Sequence, residues 1–162
     1  MKKIVVLAAA AVLCMGMLAG CGSSSTSSSS SSTSAEQSAD VAMSYMTPDE
    51  LRGQLDSEDV VVVDVRKAAD YATSHIKGAI SADMDAAKNR HTDTATATMK
   101  AALEEATGSE TGAGKTLVLV CYSGASYAQA GTNILSEMGA DMDSVKTLEG
   151  GMKAWGDSDL EQ

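Results

Sequence analysis

Val60 to Val63 is an unbroken run of four valines, followed by Asp64 and Val65. Consecutive β-branched side chains leave no polar face, so the run predicts a strand covered on both sides. Leu117-Val118-Leu119-Val120 repeats the pattern and stops at Cys121. Helical signals lie between and around these runs. Thr47-Pro48-Asp49-Glu50 is a helix start, with Thr at the N-cap, Pro in the first turn and acids at the positive dipole end. Leu51 and Leu55 give that helix an inner face, and Lys67 to Thr73 suits a short second helix. Gly78-Ala79-Ile80 reads as a brief strand. Met99, Ala102, Leu103 and Ala106 fall at i, i+3, i+4, i+7, which predicts an amphipathic helix over roughly 95–106 ended by Gly108. Ala128, Gly131, Leu135 and Met138 form one face of a further helix ending at Gly139. Ser144 to Leu148 is a last strand, and Gly150-Gly151 leads into a turn around Trp155. Strands alternating with helices predict one α/β domain, a small parallel β-sheet flanked by helices.

The N-terminal part does not join that pattern. Lys2-Lys3 precedes an uncharged run from Ile4 to Gly20, rich in Val, Leu and Ala, which has the layout of a secretory signal. Its 17 residues reach only the lower limit for a membrane span. Leu18-Ala19-Gly20-Cys21 resembles the lipobox of bacterial lipoproteins. That resemblance implies cleavage before Cys21, a diacylglyceryl group on its thiol, and a protein held on the extracytoplasmic face of a cell membrane. Two acyl chains suit such an anchor, because one chain binds only marginally. Residues 23–34 are all Ser or Thr and cannot bury apolar surface, so a flexible tether is expected. The expected organisation is a signal peptide over 1–20, a lipidated Cys and tether over 21–44, and a folded domain over 45–162.

Charge narrows the partners. The full chain carries 12 basic and 22 acidic side chains, a formal charge of −10. Loss of Lys2 and Lys3 with the signal takes it to −12. A surface so acidic repels phosphate backbones, and with 3% aromatic residues there is little to stack bases on, so no nucleic-acid partner is expected. The three cysteines, at 14, 21 and 121, make neither a disulfide framework nor a zinc cluster. Cys14 would leave with the signal and Cys21 would be lipidated, leaving Cys121 as the one free thiol. No metal ligand spacing joins His75, His91 and Cys121, and no cofactor-binding glycine motif stands out.

In open parallel sheets, ligands gather beyond the carboxyl ends of the strands. Two groups fall there: Asp64-Val65-Arg66, and Cys121-Tyr122-Ser123-Gly124-Ala125-Ser126. A cysteine at a strand end, a turn at Gly124 and a helix starting near Ser126 would surround sulfur with backbone N–H groups. Such a hollow binds anions and favours thiolate chemistry. The plainer role for Cys121 is to fill an apolar gap.

Taken together, Asp64-Val65-Arg66, Asp70-Tyr71, His75-Ile76-Lys77-Gly78-Ala79-Ile80, Val120-Cys121-Tyr122-Ser123-Gly124 and Leu148-Glu149-Gly150-Gly151-Met152-Lys153-Ala154-Trp155 resemble a rhodanese domain over about residues 47–156. The resemblance implies a small parallel-sheet α/β fold and transfer of sulfane sulfur through a persulfide on Cys121. Tyr122, Ser123, Gly124, Ala125 and Ser126 would then supply the loop that holds the persulfide. Asp64 would brace loops, Arg66 would form a salt bridge to Asp70, His75 would secure a turn, His91 would be a solvated loop residue and Trp155 a core plug.

One position departs from the family pattern. Many active rhodaneses carry Cys-x-x-Gly-x-Arg, and Ser126 stands where that Arg would be. An anionic donor such as thiosulfate thereby loses a bidentate anchor. The loop also differs from the Cys-x5-Arg phosphatases and arsenate reductases, because Tyr127 occupies their Arg position, so phosphate-ester chemistry is not expected. Three functions fit the sequence: a membrane-anchored sulfurtransferase using thiosulfate or a persulfide, a thiol redox enzyme whose partner provides the second thiol, and a non-catalytic binding module on the same fold. Expected partners are a small sulfur donor, a thiol acceptor or a partner protein, together with the membrane that the lipid anchor enters.

Overall fold

The two apolar runs are the central strands. A computed structural model describes residues 39–162; the expectations for the signal, for Cys21 and for the Ser/Thr tract lie outside them. In chain order the elements are β1 (Tyr45–Met46), α1 (Pro48–Arg52), β2 (Val60–Asp64), α2 (Ala68–Thr73), β3 (His75–Ile76), β4 (Ile80–Ser81), α3 (Asp85–Lys88), α4 (Thr92–Thr107), β5 (Thr116–Val120), α5 (Ser126–Glu137), β6 (Val145–Leu148), α6 (Gly151–Trp155) and β7 (Leu160–Glu161). Five strands form a parallel sheet in the order β1-β6-β5-β2-β4, and β3 pairs with β7 in a separate antiparallel ribbon. β2 and β5 run in register from Val60 opposite Thr116 to Asp64 opposite Val120.

Side chains alternate across a strand, so the valine run supplies both faces of the sheet. Val63, Leu117 and Leu119 join Met99 and Leu103 of α4 and Leu135 of α5 in one buried cluster. Val62, Val118 and Val120 join Leu51 of α1 and Trp155 of α6 in the other. Helices therefore cover both sides, as an all-parallel sheet requires. Trp155 fills the core as expected, 1% exposed, with its indole N–H donating to the Ser158 carbonyl at 2.8 Å.

Local chemistry sets the ends of the elements. Thr47 and Glu50 form a capping box on α1: the Glu50 N–H donates to Thr47 Oγ1, and the Thr47 N–H donates to Glu50 Oε2 at 2.8 Å. α4 starts at Thr92, earlier than the predicted 95, because its first turn is polar and shows no apolar period. Gly78-Ala79 is a turn, not a strand: the Ala79 N–H donates to Ile76 O, and sheet pairing begins at Ile80. Asp40 to Ser44, which the sequence reading assigns to the end of the tether, is part of the folded unit. Val41 exchanges hydrogen bonds with Asn133 and Gln129 of α5, and Ser44 O accepts from the Thr147 N–H. Among the described residues no helix is long and apolar enough to cross a membrane.

Candidate active site

The ends of β2 and β5 lie side by side, and the Val65 N–H donates to Val120 O at 2.9 Å. That pairing brings Asp64-Val65-Arg66 next to Cys121, as the strand-end argument expects. Asp64 is fully buried and Arg66 nearly so. Arg66 Nη2 donates to Asp64 Oδ2 at 2.6 Å, and Nε donates to the same carboxylate at 3.0 Å. Nη2 also donates to the Ser74 carbonyl at 2.6 Å, which ties the strand end to the chain beyond α2. Asp64 thus fixes Arg66, and it is Arg66 that holds the loop carbonyl. Arg66 does not pair with Asp70, contrary to the sequence expectation. Residues two apart in extended chain project to the same side, so Asp64 reaches the guanidinium first. Burial weakens the charged guanidinium, and the bond and charge of Asp64 outweigh this, leaving the Arg66 pKa above its ordinary value.

Cys121 is 2% exposed. Its carbonyl accepts from the Met152 N–H at 2.8 Å, and the Tyr122 carbonyl accepts from the Lys153 N–H at 3.1 Å. The first turn of α6 thus backs the cysteine loop. The N–H groups of Tyr122, Ser123, Gly124 and Ala125 donate to no acceptor among the described residues. α5 then starts at Ser126 with no side chain capping it. Unpaired amides at the start of a 12-residue helix make a hollow suited to an anionic sulfur beside Cys121. Ser126 is exposed and brings no positive charge.

Backbone proximity shapes this loop. A Cβ on Gly151 would stand 2.3 Å from Cys121 O and 2.7 Å from the amide nitrogens of Ser123 and Gly124. Gly151 also has φ of +59°, and Gly124 has φ of +68°. Two glycine-containing turns pack main chain to main chain, and the sequence marked them only as turns.

Two tyrosines form the rim. The Tyr122 hydroxyl donates to Asp70 Oδ2, and its ring lies 5.9 Å from the Arg66 guanidinium carbon. Tyr127 donates to Asp85 Oδ1 at 2.7 Å. The rings meet edge to face, 5.4 Å between centroids. Asp85 also lies 3.5 Å from Lys67 Nζ. The roles of Asp85 and Lys67 escape sequence reading, since neither is near the cysteine in sequence.

Burial, then the bond to Asp85, hold the Tyr127 hydroxyl well above its ordinary 10.0. The hydrogen bond from Tyr127, aided by Lys67, lowers Asp85 below 3.8. The tyrosine's contribution is present below its ordinary value and lost as pH rises through the folded one. The carboxylate's is present above its ordinary value and lost as pH falls through the folded one. The pair accordingly spans the neutral range. In an alkaline absorbance titration, Tyr127→Phe is expected to remove the component that ionises last. A wild-type titration complete at ordinary tyrosine pH would contradict this bond.

His75 stacks on Tyr71 at 3.9 Å, and its Nδ1 lies 3.0 Å from the Tyr71 carbonyl oxygen, so it secures the α2–β3 junction. His91 is exposed ahead of α4. Among the described residues no group of His, Cys, Asp and Glu has the geometry to hold a metal ion.

Fold and site together define a parallel α/β domain that presents one cysteine at a strand end, ahead of a loop of free amides. The sequence profile of the rhodanese-like domain matches residues 47–158, and the chain belongs to that family. It is similar to a rhodanese-like domain protein from Staphylococcus aureus, at 28% identity over 74% of this chain and 97% of that one, with a TM-score of 0.52. A Staphylococcus saprophyticus protein is similar at 26% identity over 74% of this chain and 100% of that one, again with a TM-score of 0.52. A rhodanese-like domain from an Anabaena protein, at 18% identity over 74% of this chain and 80% of that one, shares the fold with a TM-score of 0.51. A comparison with curated proteins gives no match.

Proposed function

We propose that this chain is a sulfurtransferase that carries sulfane sulfur as a Cys121 persulfide, and that a lipid on Cys21 holds it at the extracytoplasmic face of a cell membrane. The observation that carries the catalytic reading is the set of unpartnered amides from Tyr122 to Ala125 at the uncapped start of α5. With thiosulfate, the Cys121 thiolate attacks the outer sulfur, a new S–S bond forms, and sulfite leaves with the electron pair of the old one. With a persulfide donor, the departing group is the donor's thiolate. An acceptor thiolate then attacks the outer sulfur of the Cys121 persulfide and releases the Cys121 thiolate. The loop amides and the α5 terminus stabilise the negative sulfur between the two steps. The lipid anchor rests on Leu18-Ala19-Gly20-Cys21. Cys21→Ala is the test: normal processing with labelled lipid still attached would refute it.

The full chain exposed to thiosulfate or a low-molecular-weight persulfide should gain one sulfur atom on the peptide containing Cys121, and cyanide should remove it. An unmodified thiol with every donor would leave the non-catalytic binding module as the better reading. Ser126 gives a second prediction. Ser126→Arg restores the guanidinium of the family pattern and should raise kcat/KM for thiosulfate about ten-fold, the worth of one charge-assisted hydrogen bond. No change in a folded variant would show that the missing charge does not limit thiosulfate use.

A further inference from the structure

The sulfur hollow is built for an anion, yet its rim carries the opposite sign. Asp70 accepts the hydroxyl of Tyr122, the residue directly after Cys121. Asp85 accepts the hydroxyl of Tyr127, on the first turn of α5. Asp83 adds a third carboxylate and is fixed by its backbone bonds, accepting from the Ala68 N–H at 2.9 Å and the Asp85 N–H at 2.7 Å. The hydroxyl donors to Asp70 and Asp85 and the backbone donors to Asp83 are neutral, so none of them cancels a carboxylate's charge. The cations are differently placed. Arg66 is committed to Asp64 at 2.6 Å and is nearly buried. Lys67 lies 3.5 Å from Asp85 and offsets it in part. Lys153 meets the loop through its backbone N–H, and its side chain is exposed. Asp70 faces no ion-pair partner among the described residues. Burial first, and then the bonds to Asp70 and Asp85, raise the pKa of the Tyr122 and Tyr127 hydroxyls above its ordinary value.

We propose that Asp70, with Asp85 in second rank, sets the charge selectivity of the Cys121 site, favouring a thiol or persulfide with a positive group beside its reacting sulfur over an anionic one. The proposal rests on the sulfurtransferase reading only in naming the reacting partner. Carboxylates bonded to the tyrosines beside the cysteine loop act on the approaching molecule before contact and raise the local concentration of cations. The negative sulfur is held deeper, by the amides, so the two requirements do not conflict.

The test uses a matched pair of methanethiosulfonates, one with an aminoethyl and one with a sulfonatoethyl group. In each case the Cys121 thiolate attacks the sulfenyl sulfur, a mixed disulfide forms and methanesulfinate leaves with the electron pair. Rates on the full chain are read by mass on the peptide containing Cys121 and normalised to the same pair acting on 2-mercaptoethanol. The cationic reagent is expected to lead by about ten-fold at low salt, and the lead should shrink as salt is added. Asp70→Asn keeps an oxygen to accept the Tyr122 hydroxyl and removes the charge, so the lead should fall several-fold, while Asp70→Glu keeps it. Asp85→Asn should give a smaller drop. Equal normalised rates, a faster anionic reagent, no labelling by either, or a lead unmoved by Asp70→Asn would overturn the assignment. Mixed-disulfide formation does not require sulfur transfer. A persulfide without charge preference therefore sinks this proposal alone, and a charge preference without a persulfide sinks the sulfurtransferase reading alone.

Discussion

Sulfur transfer is expected to fall to the uncatalysed background in Cys121→Ser, with the fold intact. Serine is nearly the same size, and a hydroxyl at neutral pH is not ionised, so the side chain neither attacks sulfur nor stores it. The site has no second thiol to take over, because Cys121 is the sole cysteine among the described residues. Activity with thiosulfate and with a persulfide donor, alongside a thermal melt, checks the result. Full activity in the folded variant would overturn the Cys121 persulfide mechanism as stated.

Gly151→Ala is the largest expected change in stability from the loss of no side chain. Alanine must adopt a left-handed conformation there, at a cost of about 1–2 kcal/mol. Its Cβ must also find room where Cys121 O stands 2.3 Å away. That neighbour is main chain and cannot rotate aside, so the cysteine loop or α6 has to shift, for about 1–3 kcal/mol more. The total is about 2–5 kcal/mol, and a fall in Tm of roughly 10 °C or more should follow. Gly108→Ala is the internal control: φ is +73° there, but a Cβ meets nothing within 4 Å, so only the conformational cost remains. Equal losses in the two variants would mean that the contact between the turns is not tight. Activity separates them as well, since only Gly151 touches the backbone of Cys121.

The strands of the sheet core were plain in the sequence because burial on both faces leaves a continuous apolar record, and Val60–Val63 and Leu117–Val120 keep it. The position of Cys121 followed from the end of that record. Short elements left less trace. β1, β3 and β7 have two residues each, too few for any period, and are defined by partners far along the chain. The same reason hid the site's rim. Tyr122 and Tyr127 are visible beside the cysteine, but the carboxylates they bond come from the loops and short helices after β2 and β4, and only folding brings them together. The Arg66 expectation failed for a local reason: its partner was two residues back rather than on the next helix.

The order of strands also sets when the domain can be completed. β1 stands at one edge of the sheet and pairs only with β6, Tyr45 opposite Thr147. Nearly the whole domain must therefore be available before its first strand finds a partner, and the entropy of closing so long a loop falls on that last step. The turn at Gly150-Gly151 follows β6 directly and supplies the support behind Cys121. A chain emerging in order from its N-terminus would hold an exposed, unsupported thiol until β6 and α6 arrive. Support of the Cys121 loop and closure of the sheet then both wait on the last quarter of the chain, and partly synthesised chains have neither.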